Sequence, residues 1–396
     1  TPGSGGANAV AIGTGSKTDN NSVAVGTGAK AEQQNSAGTI QNGVAVGKGA
    51  VAKGSVSVGE GAYSEHLSVS IGYNAGAKGP SGLWNSIAIG SYSKIGETGK
   101  RTAQGIAIGS GTGETEGAWA KGDQSIAIGS NTEASGDSSI AIGGDDLNSV
   151  YSSSSSYTKK TFDKAGTQTS SQSVNKNLND IYKDLTGRTE GLGYNVFNGT
   201  NSGQGAVALG VKSKAGDIAL AIGTLSEATG INSVAIGTGA QTPQANAVAI
   251  GGGSSTAGIQ GRQINDADIT LSDGTNVNFG NFAGAAGVEE GDVVSFGRVG
   301  SERQLKHIAP GEVSATSTDG INGSQLFAVA KKLGDDISKF KYVSIKSNDA
   351  GNKLNDGATA NNAIAIGPNA STKVESAVSL GDGANVLPGP TKDKAG

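Results

Sequence analysis

Few residues in this chain are of a type that performs covalent chemistry. Cysteine is absent, so thiol nucleophiles, thiolate zinc sites and disulfide scaffolds are all excluded. Of the two histidines, His66 follows Glu65 and His307 lies far along the chain, neither at a metal-ligand spacing nor beside a nucleophile constellation. Gly143-Gly144-Asp145-Asp146 loosely imitates part of a calcium-binding nonapeptide, but that repeat's period is missing and a solvated turn is expected instead. The reading is therefore no catalytic residue, no metal and no cofactor. What remains is binding chemistry. Trp84 and Trp119, the two tryptophans of the chain, fall with Tyr73, Tyr92, Lys100 and Arg101 between Gly72 and Gly129, and Trp, Tyr and Arg are the residue types that dominate binding hot spots.

The elements that must position these residues come from a repeat. A tag of the form small-V/I-A/S-V/I/L-G occurs fifteen times. Its closing glycines are Gly13, Gly26, Gly47, Gly59, Gly72, Gly90, Gly109, Gly129 and Gly143, then Gly210, Gly223, Gly237 and Gly251, and last Gly367 and Gly381. In a strand the two branched residues of a tag share one face and the central Ala or Ser takes the other. At 12 to 14 residues where tightest, one coil holds a strand, a turn, a shorter return and a second turn. Such a coil cannot bury its branched pair alone, so neighbours are expected to stack into a parallel β-solenoid or β-roll whose thin core is made of pairs such as Ile87 and Ile89, Ile106 and Ile108, Ile126 and Ile128. The small face, with Ala88, Ala107, Ala127 and Ala235, is then expected to touch a neighbouring subunit.

Composition agrees with a repeat of this kind. Of 396 residues, 67 are Gly and 7 Pro, with no Gly-X-Y period, which excludes collagen. Only 4 % are aromatic, so a large aromatic core is excluded too. A net charge of -4 gives no electrostatic reason for nucleic acid or anionic lipid as partner. No run approaches the ~18 apolar residues of a membrane helix, and the first residues do not read as a signal peptide. The lack of Met even at position 1 reads as a processed chain or an excised piece.

Departures from the repeat define the remaining organisation. Residues 1-143 form a first block of roll. Residues 144-205 read as an insertion with a Ser-rich loop at Ser152 to Ser156 and one amphipathic helix, since Val174, Leu178, Ile181 and Leu185 recur at helical spacing and stop before Gly187. A second block spans 206-260, and 261-292 alternates around Asp273-Gly274 as a hairpin-like connector. From Ser324, Leu326, Ala330, Leu333, Ile337 and Phe340 follow coiled-coil seam spacing, with Lys331, Lys332, Asp335 and Asp336 outside the seam. The spacings of 18, 19 and 20 residues between Gly72 and Gly129 mark three enlarged coils. Their extra residues are expected as stacked loops presenting Tyr73, Trp84, Tyr92, Lys100, Arg101 and Trp119 as one ligand-binding patch. Equally, the rings could fold back over the open side of their own coils.

With the SVAIG tags, the string VVSFGRVGSERQLKHIAPGEVSATSTDGINGSQLF at 293-327 resembles the head and neck of trimeric autotransporter adhesins of Gram-negative bacteria, the YadA-like group. That resemblance covers about two thirds of the chain. It implies a predominantly all-β fold: a trimeric left-handed parallel β-roll head carrying an inserted α-helical segment, a neck at 293-323, a short trimeric coiled coil at 324-341, and at 342-396 a connector with the start of a further head. It also implies a homotrimer, with Leu326, Leu333 and Ile337 among its contacts, displayed on the bacterial surface and anchored in the outer membrane by a C-terminal region outside this chain. The partner it implies is a host cell-surface or extracellular-matrix protein: collagen, fibronectin, laminin or a carcinoembryonic-antigen-type adhesion molecule. No membrane contact by this segment is expected. Two other functions remain open, a spacer rod or self-association module without host ligand and, remotely, a solenoid transferase, although the strict six-residue period of such enzymes is missing.

Overall fold

A computed structural model describes residues 3-4, 6-36, 39-77, 85-97, 102-271, 274-337 and 357-389. Two units are described separately, residues 1-306 and residues 307-396. In the first, each coil contributes one three-residue tag strand, such as Ile126–Ile128, and one return strand, such as Thr132–Ala134. Tag strands stack in parallel and in register into a fourteen-stranded sheet, and return strands into a thirteen-stranded sheet behind it. Ile87 pairs with Ile106, Ile106 with Ile126 and Ile126 with Ile140, so identical side chains form columns along the stack. This is the parallel β-roll that the tags predict.

Which face points inward is the reverse of the expectation. Ala88, Ala107, Ala127 and Ala235 are 0 % exposed within the single chain and face alanines and serines of the return sheet. They are sealed inside their own coil, and no neighbouring subunit can reach them. The branched pairs lie outside and remain half-buried, with Ile12 57 % and Ile108 37 % exposed. Thickness is the reason. The Ser57 hydroxyl of a tag strand meets the Ser64 hydroxyl of the return strand at 2.6 Å, a gap that two small side chains fill and two isoleucines cannot enter without overpacking. Small polar residues are tolerated inside because they find partners there, as Ser70 does by donating to the Tyr63 carbonyl at 2.8 Å.

The insertion leaves after Gly143 and the roll resumes without a gap, since Thr132 pairs with Thr200 and Ile140 with Val207. Its content differs from a loop plus a helix. A short helix α1 (Asn148–Ser152) is followed by an antiparallel hairpin of Ser154–Phe162 and Gln168–Asn177, and only then by helix α2 (Leu178–Thr186). Thus Ser154 to Ser156 begin a strand, and Val174 stands opposite Tyr157 in the hairpin instead of opening the helix. Asp163 closes the hairpin turn, its carboxylate accepting from the Ala165 and Thr167 amides at 2.9 and 2.8 Å. Asn177 caps α2 by accepting from the Asp180 amide at 2.8 Å, and Gly187 ends it at φ 70°. The helix docks on its own chain: Leu147, Tyr182 and Leu192 form a small core against Val211 and Leu225 in the turns of the second block.

Beyond that block, Asp266–Thr270 and Asn276–Gly280 pair as an antiparallel hairpin. Val294–Ser295 then adds the last strand of the tag sheet, against Val248 and Ala249. Arg303 closes this end of the stack, reaching the Ser254 hydroxyl at 2.7 Å and the Gly252 carbonyl at 2.6 Å.

In the second unit, helix α3 (Gly323–Ile337) starts at Asn322, whose side chain accepts from the Ser324 amide at 3.2 Å. Gln325 ties the helix to the preceding segment through the Gly311 amide and carbonyl at 3.1 and 2.6 Å. Leu326, Leu333 and Ile337 are 62 %, 59 % and 61 % exposed in the single chain, an unpartnered apolar seam, while Lys331 pairs with Asp335 at 2.7 Å outside it. Phe340 lies outside the described residues. Tag strands Ile364–Ile366 and Val378–Leu380 begin another stretch of roll, backed by Ser371–Thr372 and Asn385–Val386.

Candidate ligand-binding face

The outer faces of the two sheets have opposite character. Outside the tag sheet stand the aliphatic columns. Outside the return sheet most outward positions are charged, amide-bearing or aromatic, with Val51 and Gly76 as exceptions, because the return strands hold small residues, or in one coil Ile95, inward and their flanking residues outward. In-register stacking turns these positions into ladders. Lys53 and Glu65 pair at 2.8 Å, and Tyr63 also donates to Glu65. Lys121 pairs with Glu133 at 2.8 Å. Burial pushes the Glu65 carboxyl up, but hydrogen bonds from Lys53 and Tyr63 outweigh it and hold the group below the usual carboxylate range. A carboxylate held ionised in this way supports a surface ladder, not proton transfer.

Three of the six sequence-predicted site residues come together on this side. Tyr73 and Tyr92 meet edge to face, 5.3 Å between ring centroids with planes at 80°. Tyr92 and Trp119 line one concavity of about 430 Å³, which Asn74, Lys94, Glu97 and Glu114 complete. Trp84, Lys100 and Arg101 lie outside the described residues. Trp119 does not stand on a loop: it opens the return strand Trp119–Ala120, in register with Lys94 and Glu133. Its indole N–H donates to the Gly96 carbonyl at 2.8 Å. The Lys121 and Lys94 ammonium groups lie 4.0 and 5.3 Å from its ring centroid. Tyr92 is held at φ 60°, in a turn position that other coils give to Gly49 or Asn131. A bulky residue there is a strained choice.

Lys94, Asn74, Glu97, Glu114 and Lys121 were not singled out from the sequence. Only Asn74 and Lys94 carried a signal, two and four residues after the closing glycines Gly72 and Gly90; Glu97, Glu114 and Lys121 belong to enlarged coils whose return positions have no constant offset from the tag. Among the described residues there is no group of His, Asp and Glu able to hold a metal ion. No helix there is long and apolar enough to cross a membrane.

Comparison with known proteins agrees with the repeat. The YadA head domain repeat model matches residues 18–37, 120–145, 202–226, 216–240, 228–254 and 358–384, windows centred on the tags and their returns. An autotransporter adhesin, BtaE of Brucella suis biovar 1 (strain 1330), is 37 % identical over 67 residues, 17 % of this chain and 9 % of that protein. The chain thus spans under a tenth of that relative's length. Among solved structures, the collagen-binding domain of the Yersinia adhesin YadA is 18 % identical, covering 76 % of this chain and 96 % of that one with a TM-score of 0.31. A C-terminal YadA-like domain from Burkholderia pseudomallei is 23 % identical over 47 % of this chain and 70 % of that one, with a TM-score of 0.22.

Proposed function

From a chain built of YadA head repeats, the repeats of surface-displayed autotransporter adhesins and not of an enzyme class, we propose an adhesive head segment that assembles as a homotrimer and binds a host cell-surface or extracellular-matrix protein. Each sheet has its own task in this reading. The aliphatic columns outside the tag sheet pack about the trimer axis, in place of the alanines: an uninterrupted apolar stripe along the stack is of the kind that soluble proteins cover. In the second unit, Leu326, Leu333 and Ile337 of α3 form a trimer contact of their own as a coiled-coil seam. The return sheet faces outward and offers the ligand Tyr73, Tyr92 and Trp119.

The observation that carries the adhesive reading is the convergence of Tyr92 and Trp119 on one concavity of about 430 Å³, a size typical of binding pockets. Binding to immobilised collagen, fibronectin, laminin and carcinoembryonic-antigen-type ectodomains tests it. Tyr92→Gly removes the ring and relaxes the turn, and is expected to weaken binding to the recognised protein tenfold or more with the melting temperature unchanged. Full binding by that variant would move the site elsewhere. One observation favours the spacer reading instead: the Trp119 indole is satisfied by Gly96 of its own coil. If Trp119→Ala lowers melting and binding in proportion while Tyr92→Gly does nothing, the aromatics close their coils and the segment is a rod.

A further inference from the structure

We propose that Leu67 and Ile218 are anchors by which each roll grips the next copy of the chain in the homotrimer, an inference that rests on the trimer reading above. Both occupy one column of the fold. Two residues before its tag strand nearly every coil turns through positive φ, and the residue there is Asn in coil after coil, at Asn8, Asn21, Asn85, Asn232 and Asn246, with Gln, Ser or Gly at most others. Asn tolerates that conformation because its short amide finds partners locally. The amides also link neighbouring coils: Asn8 donates to Asn21 at 3.1 Å and Asn232 to Asn246 at 3.0 Å.

Leu67 and Ile218 break the column. They adopt φ 58° and 48°, and Ile218 is the one β-branched residue at positive φ among the described residues. For a β-branched side chain that is a true outlier. The backbone imposes it: the Ile218 amide donates to the Gln204 carbonyl at 2.6 Å and the Leu67 amide to the Gly54 carbonyl at 3.0 Å, so the turn persists whatever the side chain. What the side chain brings is not burial in its own chain, for Leu67 is 55 % and Ile218 58 % exposed. Strain without burial needs an offsetting contact from outside. One such residue falls in each block of the roll.

The place of the column says what that contact is. It runs along one edge of the tag sheet, since Leu67 and Ile218 lead two residues later into the strands Val69–Ile71 and Leu220–Ile222. Three such sheets turned about a common axis, aliphatic faces inward, meet along their long edges. Beyond the edge of one copy stands the next, whereas a host protein approaches from the return sheet. Asn at this edge is satisfied by water or another amide; Leu and Ile gain only against apolar atoms, which the neighbour's aliphatic columns supply.

The test is sedimentation velocity of the whole chain over a dilution series, in urea set to part-dissociate the wild-type trimer, for Leu67→Asn, Ile218→Asn, the double variant and Ser138→Asn, a control at φ 53° in the same column. Asn fits the turn, so strand content should be kept in all four. Each anchor variant is expected to dissociate at a protein concentration about tenfold or more above wild type, the scale of one buried aliphatic side chain, and the double variant further still, with Ser138→Asn unchanged. A double variant that dissociates as wild type does, its melting temperature raised by the relieved turns, would overturn the proposal. So would weakened binding to the immobilised host proteins at unchanged dissociation, which would make Leu67 and Ile218 part of the adhesive face. Wild type sedimenting as one chain without urea would overturn this proposal and the trimer reading together, whereas a three-chain wild type with an unchanged double variant removes the anchors alone.

Discussion

Replacing Gly237 by alanine probes the closest approach in the roll. Gly237 closes a tag at φ 132°, a conformation that L side chains rarely adopt. A Cβ there would lie 2.5 Å from the carbonyl carbon of Gly251 in the next coil and 2.7 Å from both its oxygen and the Gly252 nitrogen. All three atoms are backbone, so no rotamer change relieves the clash and the coils must part. Parting them loosens the bond from the Gly251 amide to the Ile236 carbonyl, 2.7 Å long, and the pairing of Val234–Ile236 with Val248–Ile250. Backbone strain at such a site costs about 1–3 kcal/mol, and one or two weakened backbone bonds add about 1 kcal/mol each, for a loss of roughly 2–5 kcal/mol. The control is Gly49→Asn: at φ 67° nothing lies within 4 Å of a Cβ, Asn occupies the same turn position at Asn74 and Asn131, and the change should stay within about 0.5 kcal/mol. Urea unfolding gives both values. Hydrogen exchange at the Val234 and Gly251 amides, which donate to Ala247 and Ile236 across the two coils, should show the loss to be local, since coils of a solenoid contact only their neighbours. Equal midpoints for the two variants would refute the reasoning.

Two further outcomes are expected. Ile236→Asp places a charge on the aliphatic face and not inside the coil, so light scattering should fall from three chains toward the single-chain 38.8 kDa with strand content kept; an unchanged mass would remove that face from the trimer contact. Glu65→Gln tests the ladder by pH: because the Glu65 pKa lies below its ordinary 4.5, its stabilisation is present above the unfolded value and is lost as pH falls through the folded one. The melting difference between wild type and variant should therefore be largest near neutrality and shrink below about pH 4.5, and a constant difference down to pH 2 would show that the charge contributes nothing.

The number of coils and the parallel roll were legible because each tag combines branched residues, a central small residue and a closing glycine, in most tags at a φ that only glycine adopts readily. Facing was not. A period of two separates Ala127 from Ile126 and Ile128 without saying which side is inside, and the answer lies in the sheet separation, seen in the Ser57 to Ser64 contact. The hairpin at Ser154–Phe162 and Gln168–Asn177 escaped notice because its strands are polar on both faces, and because Val174 happens to share helical spacing with Leu178. At the aromatic face, Tyr73, Tyr92 and Trp119 were visible by type. That Trp119 is a strand residue was not, since an enlarged coil does not reveal which of its residues returns to the stack.

The direct pairing of Thr132 with Thr200 and Ile140 with Val207 has a consequence for how such a molecule can change. Reach along the stack grows by about 4.8 Å for each coil added and by nothing for residues paid out sideways between Gly143 and Thr200. Height and cargo are thus independent variables. A lineage can lengthen or shorten its reach by duplicating a tag and its return, and exchange the lateral segment for any other whose two ends meet one strand spacing apart, without either edit disturbing the other.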